Sequence, residues 1–551
     1  MSHRLGTGGR LIDRSRPMDF TFNGKTMRGY AGDTLASALL GAGQVLVGRS
    51  FKYHRPRGHV AAGAEEPNAL VGLGEGQRFE PNQRTTTTEL FSGLKAVSQN
   101  HWPSLDFDVG AVNAKLWRFF PAGFYYKTFL RPRAFWKHVY EPIIRRSAGL
   151  GRAPDAETRD ADRYEQLYAF CDVLVAGGGI AGLTAAVAAA EQGLRVIVME
   201  QAAHWGGRAR ADGIAFETGS VDGWIHDTVE TLTAMPNVTL LRRTMVAGVH
   251  DHGYVLGYQR VADHTPGADA PRHRLWRVRA GKVIAATGAI ERPLSFAGND
   301  LPGVMLASAV RDYVVNWAVS PGRRVVVVTN NDDAYRTALT LHAAGVIVAA
   351  VVDARFEASG ELPARVRALG IRVLSDTAIR HVEGGKSVTG VALCRFDSDG
   401  GAVFETLACD AVAMSGGWSP VVHLWSHCGG KLDWDRKHAM FRPDATRPPI
   451  THDGSAMVIP AGACNGALIA AEALADAAEA GVAAVKALGL KAKTTPIGKA
   501  EVEEEAAMEP VWIMPQGAGP KLRMKMWLDY QNDVKVSDVQ LAAREGYNSV
   551  E

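Results

Sequence analysis

At 551 residues the chain is long enough for about three to four domains, and its 46% hydrophobic content is ample for ordinary globular cores. Its 61 Lys and Arg stand against 58 Asp and Glu, and a net charge of +3 gives no global argument for a nucleic-acid or acidic partner. The five cysteines, Cys171, Cys394, Cys409, Cys428 and Cys464, form no C-x-x-C, which excludes a redox-active dithiol and suits a reducing compartment.

The segment 1–18 is basic but has no apolar core, and no stretch of the chain reaches about 18 uncharged apolar residues. It is expected to be an N-terminal tail on a cytoplasmic protein with no membrane or nucleic-acid partner. Folding should begin near Asp19, where Phe20 and Phe22 alternate with Asp19 and Thr21 and run into Asn23-Gly24, a type I′ hairpin signal. A second strand precedes Asp33-Thr34, which can cap a helix over Leu35 to Leu40. This order predicts a ferredoxin-like β-grasp domain over 19–99. In plant-type ferredoxins the loop after the helix carries C-x₄-C-x₂-C for a [2Fe–2S] cluster. Here it reads GRSFKYHRPRGHVAAGAEEPNALV, from Gly48 to Val71, without a cysteine, so no Fe–S cluster is expected. His54, Arg55 and Arg57 are expected to be loop residues tied to Glu65 and Glu66.

Residues 100–165 are expected to form a connector. Within it, Lys115 to Arg146 interleaves aromatic and basic residues, but Pro121, Pro132 and Pro142 prevent one long amphipathic helix. An extended segment packed over neighbouring domains is the reading, with aromatic surface buried against partner subunits.

The stretch from Cys171 to Arg208 reads as one strand–turn–helix–strand unit at the heart of a dinucleotide-binding domain whose first part is 166–320. Val173 to Ala176 is a short buried strand, broken by Gly177, Gly179 and Gly182 in G-x-G-x-x-G. The first glycine permits the turn, the second lets backbone approach a pyrophosphate, and the third lets helix pack on strand; phosphates then sit on the helix N-terminus. An Ala-rich helix ends near Gly193, and the next strand leads to Glu200 and Gln201, where a carboxylate hydrogen-bonds adenosine ribose hydroxyls and favours NAD or FAD over NADP. A second glycine turn follows at Gly206, Gly207 and Arg208. Phe216 to Val221 and the region 238–279 read as short strands. The strand after Lys282 ends in Thr287-Gly288, where backbone can lie close to the adenosine half of a cofactor.

A second copy of the unit occupies 321–408. Val325 to Val328, TNNDDAYRTALTLHAAG and Val346 to Asp353 parallel the stretch from Leu174 to Glu200, with Gly345 over Gly193. Thr329, Asn331 and Ala334 replace the three glycines, and Asp332 and Asp333 at the helix start would repel a pyrophosphate. A Rossmann-like fold without a dinucleotide is expected there. The chain should return to the first domain over 409–481, through the strand from Cys409 to Gly417 and the turn Ala461 to Gly466. Gly462 and Asn465 in that turn are candidate cofactor contacts; the Asp that commonly binds the ribityl chain of FAD is missing, which fits NAD.

The loop Phe51 to Gly58, the Glu65-Glu66-Pro67-Asn68 step, the Ala286-Thr287-Gly288 segment, Ser415 to Asp435 and the C-terminal LDYQNDVKVSDVQLAAREGYNSVE together resemble the α subunits of heterotetrameric sarcosine oxidases. In those subunits the ferredoxin-like domain lacks its cluster, whereas hydrogen cyanide synthase and amino-acid dehydrogenase subunits usually keep cysteines in the loop. The resemblance implies NAD on this chain, FMN at the interface with a β subunit, FAD and the small-molecule substrate on that β subunit, and further γ and δ subunits. It implies oxidation of sarcosine with oxygen reduced to hydrogen peroxide, and that 482–551 leads toward a folate-binding aminomethyltransferase-like domain beyond Glu551, this sequence being either a fragment or a chain whose folate domain is separate.

The fold class expected is thus α/β, a two-Rossmann-unit FAD/NAD(P)-binding fold preceded by a ferredoxin-like β-grasp domain without a cluster. No Ser/His/Asp, paired-carboxylate or metal-ligand arrangement stands out, so no catalytic or metal residue is named. An amine or imino-acid dehydrogenase subunit of the same superfamily, or a noncatalytic nucleotide-binding scaffold, are the alternatives.

Overall fold

The computed structural model describes residues 2–116, 129–154, 157, 159–217, 219–451, 454–493, 498–501 and 507–549. The chain divides into two compact units: one gathers 1–160, 293–416 and 509–551, the other 161–292 and 417–508. Among the described residues no helix is long and apolar enough to cross a membrane.

The first unit opens with β1 (Asp13–Phe22) and β2 (Lys25–Ala31), an antiparallel pair whose two-residue turn has Asn23 at φ +50 and Gly24 at φ +76, the left-handed pair that a type I′ hairpin needs. Helix α1 (Leu35–Gly41) is capped by Thr34, whose Oγ1 accepts from the Ser37 amide at 3.1 Å. With β3 (Leu70–Leu73), β4 (Glu80–Arg84) and β5 (Lys95–Ser98) the strands form a five-stranded sheet in the order β2-β1-β5-β3-β4, with β1 and β5 parallel. Phe20, Phe22, Leu35, Leu39 and Val71 fill the core between sheet and helix.

Residues before Asp19 are not a loose tail. Arg4 donates to Asp33 at 2.7 and 3.0 Å and to the Trp317 carbonyl at 2.7 Å, while backbone bonds run from His3 to Gly41 and from Leu5 to Ala318. The segment is a strap across one unit, built from partners too distant in sequence to show as a pattern. Arg55 and Arg57 differ from expectation likewise. Rather than Glu65 and Glu66, Arg55 pairs with Asp300 at 2.5 and 2.7 Å, and Arg57 bridges Asp300 and Asp533, all within the same unit. Burial alone would raise the Asp300 carboxyl, yet Arg55 and Arg57 hold it below the usual carboxylate range. Arg57→Leu should cost about 3–5 kcal/mol, because it strips a partner from buried carboxylates; the check is the shift of the first unit's denaturant midpoint.

The chain enters the second unit on β6 (Tyr164–Ala176), α2 (Ile180–Ala190) and β7 (Val196–Met199), followed by β8 (Val238–Leu241), β9 (Thr244–His250), β10 (Tyr254–Arg260) and β11 (His273–Ala285). The sheet order is β8-β7-β6-β11-β10-β9, parallel from β8 through β11 and antiparallel beyond. Residues from Val221 are helical, not a strand: Ser220 caps the helix Val221–Ala234 by accepting from Gly223 N at 3.1 Å, and Val221, Ile225 and Leu232 form its buried stripe.

Back in the first unit, β12 (Val304–Leu306) leads into α3 (Ala307–Trp317), β13 (Arg324–Thr329), α4 (Asp333–Ala343), β14 (Ile347–Asp353), β15 (Val373–Leu374) and β16 (Ala411–Ser415). These strands make an all-parallel sheet in the order β12-β16-β13-β14-β15. Val325 to Val328 and Ala411 to Met414 are wholly buried, as strands covered on both faces should be. The strand from Cys409 therefore belongs to the second Rossmann-like sheet, and the chain crosses to the other unit after Gly416. The second unit closes with β17 (Val458–Pro460), parallel to the end of β11, and α5 (Ala470–Ala487). The described residues 509–549 pack into the first unit. Of the aromatic connector stretch, 117–128 lie outside the described residues; beyond them, Phe135 and Trp136 are exposed and Glu141–Ser147 is helical.

Candidate nucleotide-binding site

The turn between β6 and α2 is shaped by its glycines in two different ways. Gly177 has φ +107, and a Cβ there would lie 2.3 Å from the Ala286 carbonyl oxygen; at Gly182 it would lie 1.9 Å from the Gly177 carbonyl oxygen. The protein's own packing requires both. Gly179 is different: the nearest atom to a Cβ there is Gly207 Cα at 3.9 Å, and its φ is an ordinary −71. The space beside Gly179, directly at the N-terminus of α2, is a cradle that a side chain would fill, which is where a pyrophosphate is held in this fold.

Glu200 sits at the end of β7 with 7% exposure. Its carboxylate accepts from the Gly178 amide at 2.6 Å and the Ala202 amide at 2.7 Å, so it holds the phosphate turn and the next loop together. Burial pushes the carboxyl up while the Ala202 and Gly178 amides pull it back. A carboxylate has about four acceptor positions, so these backbone amides do not exhaust its capacity for ribose hydroxyls. Gly207, at φ +54, packs on Gly179 with 3.2 Å from its built Cβ to Gly179 Cα. Arg208 donates to Asp212 at 2.9 Å and stacks 5.0 Å over the Trp418 ring; Gln201 is exposed, and its carbonyl accepts from Arg260 at 3.1 Å.

Thr287 and Gly288 follow β11, whose end runs beside the end of β6. The Thr287 hydroxyl donates to the Val421 carbonyl at 2.6 Å, and Gly288, at φ +75, has nothing within 4 Å of a built Cβ. The C-terminal turn comes to the same helix end: a Cβ on Gly462 would be 2.5 Å from Ala181 Cβ. In place of the missing ribityl-type Asp, Asp476 on α5 reaches back, accepting from Gly462 N at 2.6 Å and Asn465 Nδ2 at 2.7 Å. Burial pushes its carboxyl up. Sequence reading missed Asp476, and its only signal was a single Asp in the Ala-rich run of α5. The structure thus gathers Gly177, Gly179, Gly182, Glu200, Gly207 and Gly462 around one helix terminus, with Thr287 and Gly288 on the neighbouring strand end and Gln201 and Arg208 turned to protein partners.

The second Rossmann-like unit has the same frame with a filled turn. Thr329, Asn330, Asn331 and Asp332 are all buried, and Asn331 donates to the Ser415 hydroxyl at 3.0 Å. A bulge in β14 brings Asp353 opposite Thr329, next to the pair Val328 and Val352, as Glu200 follows the pair Ala176 and Met199 in the Rossmann motif of β6, α2 and β7. Arg355 then neutralises both Asp332, at 2.7 Å, and Asp353, at 2.6 Å, while Arg311 meets Asp333 at 3.2 Å. Repulsion by free carboxylates is therefore not the obstacle that the sequence suggested. Side chains occupy the space that glycines leave open around Gly179. Among the described residues no group of three or more His, Cys, Asp or Glu is placed to hold a metal ion.

Glu200→Ala should weaken dinucleotide binding by about 1–3 kcal/mol, roughly 5- to 150-fold in Kd, by removing charge-assisted bonds to ribose. Calorimetric titration of the purified variant checks it, and unchanged affinity would remove Glu200 from the site.

Residues 175–229 match a family described as an NAD(P)-binding Rossmann-like domain, and 15–101 match one described as a 2Fe-2S iron–sulfur cluster binding domain. The donor set of 15–101 does not fit a cluster, because the first cysteine of the chain is Cys171. The L-proline dehydrogenase of P. horikoshii shares the fold, with TM-score 0.65 at 19% identity over 99% of this chain and 88% of that one. The sarcosine oxidase subunit alpha of Rhizobium meliloti (strain 1021) is 44% identical over 554 residues, 100% of this chain and 53% of its own length. That of Corynebacterium sp. (strain P-1) is 34% identical over 552 residues, 98% of this chain and 51% of its own. The chain spans about half the length of the curated relatives it matches. Along its whole length the chain is similar to the sarcosine oxidase α subunits.

Proposed function

We propose that this chain is the dinucleotide-holding part of the α subunit of a multisubunit sarcosine oxidase, with NAD in the site around Gly179 and Glu200. The observation that carries the reading is the contrast between the two Rossmann-like units: the Gly179 cradle is open at a helix terminus with a carboxylate beside it, and the corresponding turn at Asn331 is filled. NAD is favoured over FAD because Asp476 takes up Gly462 N and Asn465 Nδ2, leaving the C-terminal turn without a carboxylate of its own for a ribityl chain.

In this reading the residues here bind and orient, and they do not move protons to or from an amine. Flavin supplies the redox chemistry, as FAD on the β subunit that takes sarcosine and as FMN at the interface with this chain, with oxygen reduced to hydrogen peroxide. The γ and δ subunits complete the assembly. A surface for partners is available on the second unit. Tyr164, Tyr168 and Phe170 alternate along β6, each more than half exposed, and Arg277 lies 5.4 Å over the Tyr168 ring. Exposed aromatic and Arg side chains of this kind are the residues that anchor protein interfaces.

The test is to purify the chain with its copurifying partners and supply sarcosine in air. Oxygen uptake matched by hydrogen peroxide is the expected result. Reduction of an artificial dye with no oxygen uptake would instead make it a dehydrogenase subunit.

A further inference from the structure

The loop from Gly48 to Val71 keeps the position of a cluster-binding loop, between α1 and β3, and something must organise its backbone in place of iron. Glu66 does so. Its side chain is wholly enclosed, with 0% exposure. One carboxylate oxygen accepts from the Val60 and Ala61 amides at 2.8 and 2.7 Å, and the other from the Asn68 and Ala69 amides at 2.7 and 3.0 Å. Four N–H groups of one loop converge on one acidic group. Burial pushes the carboxyl up to about 7 even with the four amides pulling it down, so without those donors the anion would be more costly still.

The spacing ties this arrangement to the cluster motif. With Glu66 on the middle position of C-x₄-C-x₂-C, the outer positions fall on Ala61 and Ala69, both 0% exposed and both supplying amides to Glu66. A thiolate-ligated [2Fe–2S] cluster is itself a buried anion whose sulfurs take hydrogen bonds. We infer that the Glu66 carboxylate is a built-in anion that replaces the cluster as the centre on which this loop folds. The β-grasp domain is consequently folded without iron and carries no electron, so any redox path in an assembly containing this chain bypasses residues 15–101. The inference stands on the loop alone, whatever amine the assembly oxidises.

The experiment uses the full chain as wild type, Glu66→Gln, Glu66→Ala and, as a control, Glu65→Gln, which replaces an exposed residue whose carboxylate accepts from Gly63 N at 3.2 Å. Hydrogen exchange is followed in peptides covering 59–71 and referenced to β7 in the other unit. The amide of Gln puts a donor where two N–H groups need an acceptor, so Glu66→Gln should speed exchange in 59–71 by about tenfold or more, with β7 unchanged. Glu65→Gln should match wild type. If Glu66→Ala does not fold, Glu66→Gln decides. Unaltered protection in Glu66→Gln would overturn the inference, and so would stoichiometric iron with acid-labile sulfide in the wild type.

Discussion

Gly179→Val is expected to yield a folded chain that retains no dinucleotide. A Cβ at Gly179 meets nothing nearer than 3.9 Å, and φ −71 is acceptable to any L residue, so the substitution places its methyl groups in the cradle without straining the turn. Those methyls occupy the pyrophosphate position at the N-terminus of α2. Losing the charge-assisted amide bonds and the helix-terminus interaction should lower affinity by at least about 100-fold, roughly 3 kcal/mol. Gly182→Val provides the contrast, since its Cβ would fall 1.9 Å from the Gly177 carbonyl and should damage folding itself. Circular dichroism with nucleotide content per chain separates the two. A Gly179→Val protein that still carries stoichiometric nucleotide would move the site elsewhere.

The second large effect concerns activity. The isolated, flavin-free chain should show no sarcosine turnover, and addition of the catalytic partner should create sarcosine-dependent peroxide where neither chain alone produces it. NAD held without a flavin or a substrate base beside it has nothing with which to exchange hydride. The thiols give no relay either: Cys171, Cys394, Cys409 and Cys464 are buried and Cys428 half-buried, all free. Burial pushes the Cys171 and Cys409 thiols up to about 12 and that of Cys464 up to about 11, far from the thiolate needed for exchange chemistry. Turnover of sarcosine by the isolated chain would refute this division of labour.

What sequence made legible was local. The three glycines, the Ala-rich helix and Glu200 lie within 24 residues of one another and obey rules of spacing, and the Asn23-Gly24 turn and Thr34 cap are read the same way. What it hid depends on distance along the chain. Arg4 finds Trp317, Arg57 finds Asp300 and Asp533, and Asp476 turns back to Gly462, none of which leaves a periodic trace. The strand Ala411–Ser415 could not be assigned to its sheet from composition, because a buried parallel strand looks alike in either Rossmann-like domain. The effect of Asp332 and Asp333 was misjudged for a related reason: Arg355, which neutralises Asp332, and Arg311, which meets Asp333, lie 23 and 22 positions away along the chain.

The central claim is that one dinucleotide, NAD, is held by the first Rossmann unit and none by the second. The direct measurement is to denature the purified wild-type chain, identify the released nucleotide by mass and count it per chain. The account predicts NAD at about one per chain; FAD as the only dinucleotide, or two dinucleotides per chain, would contradict it.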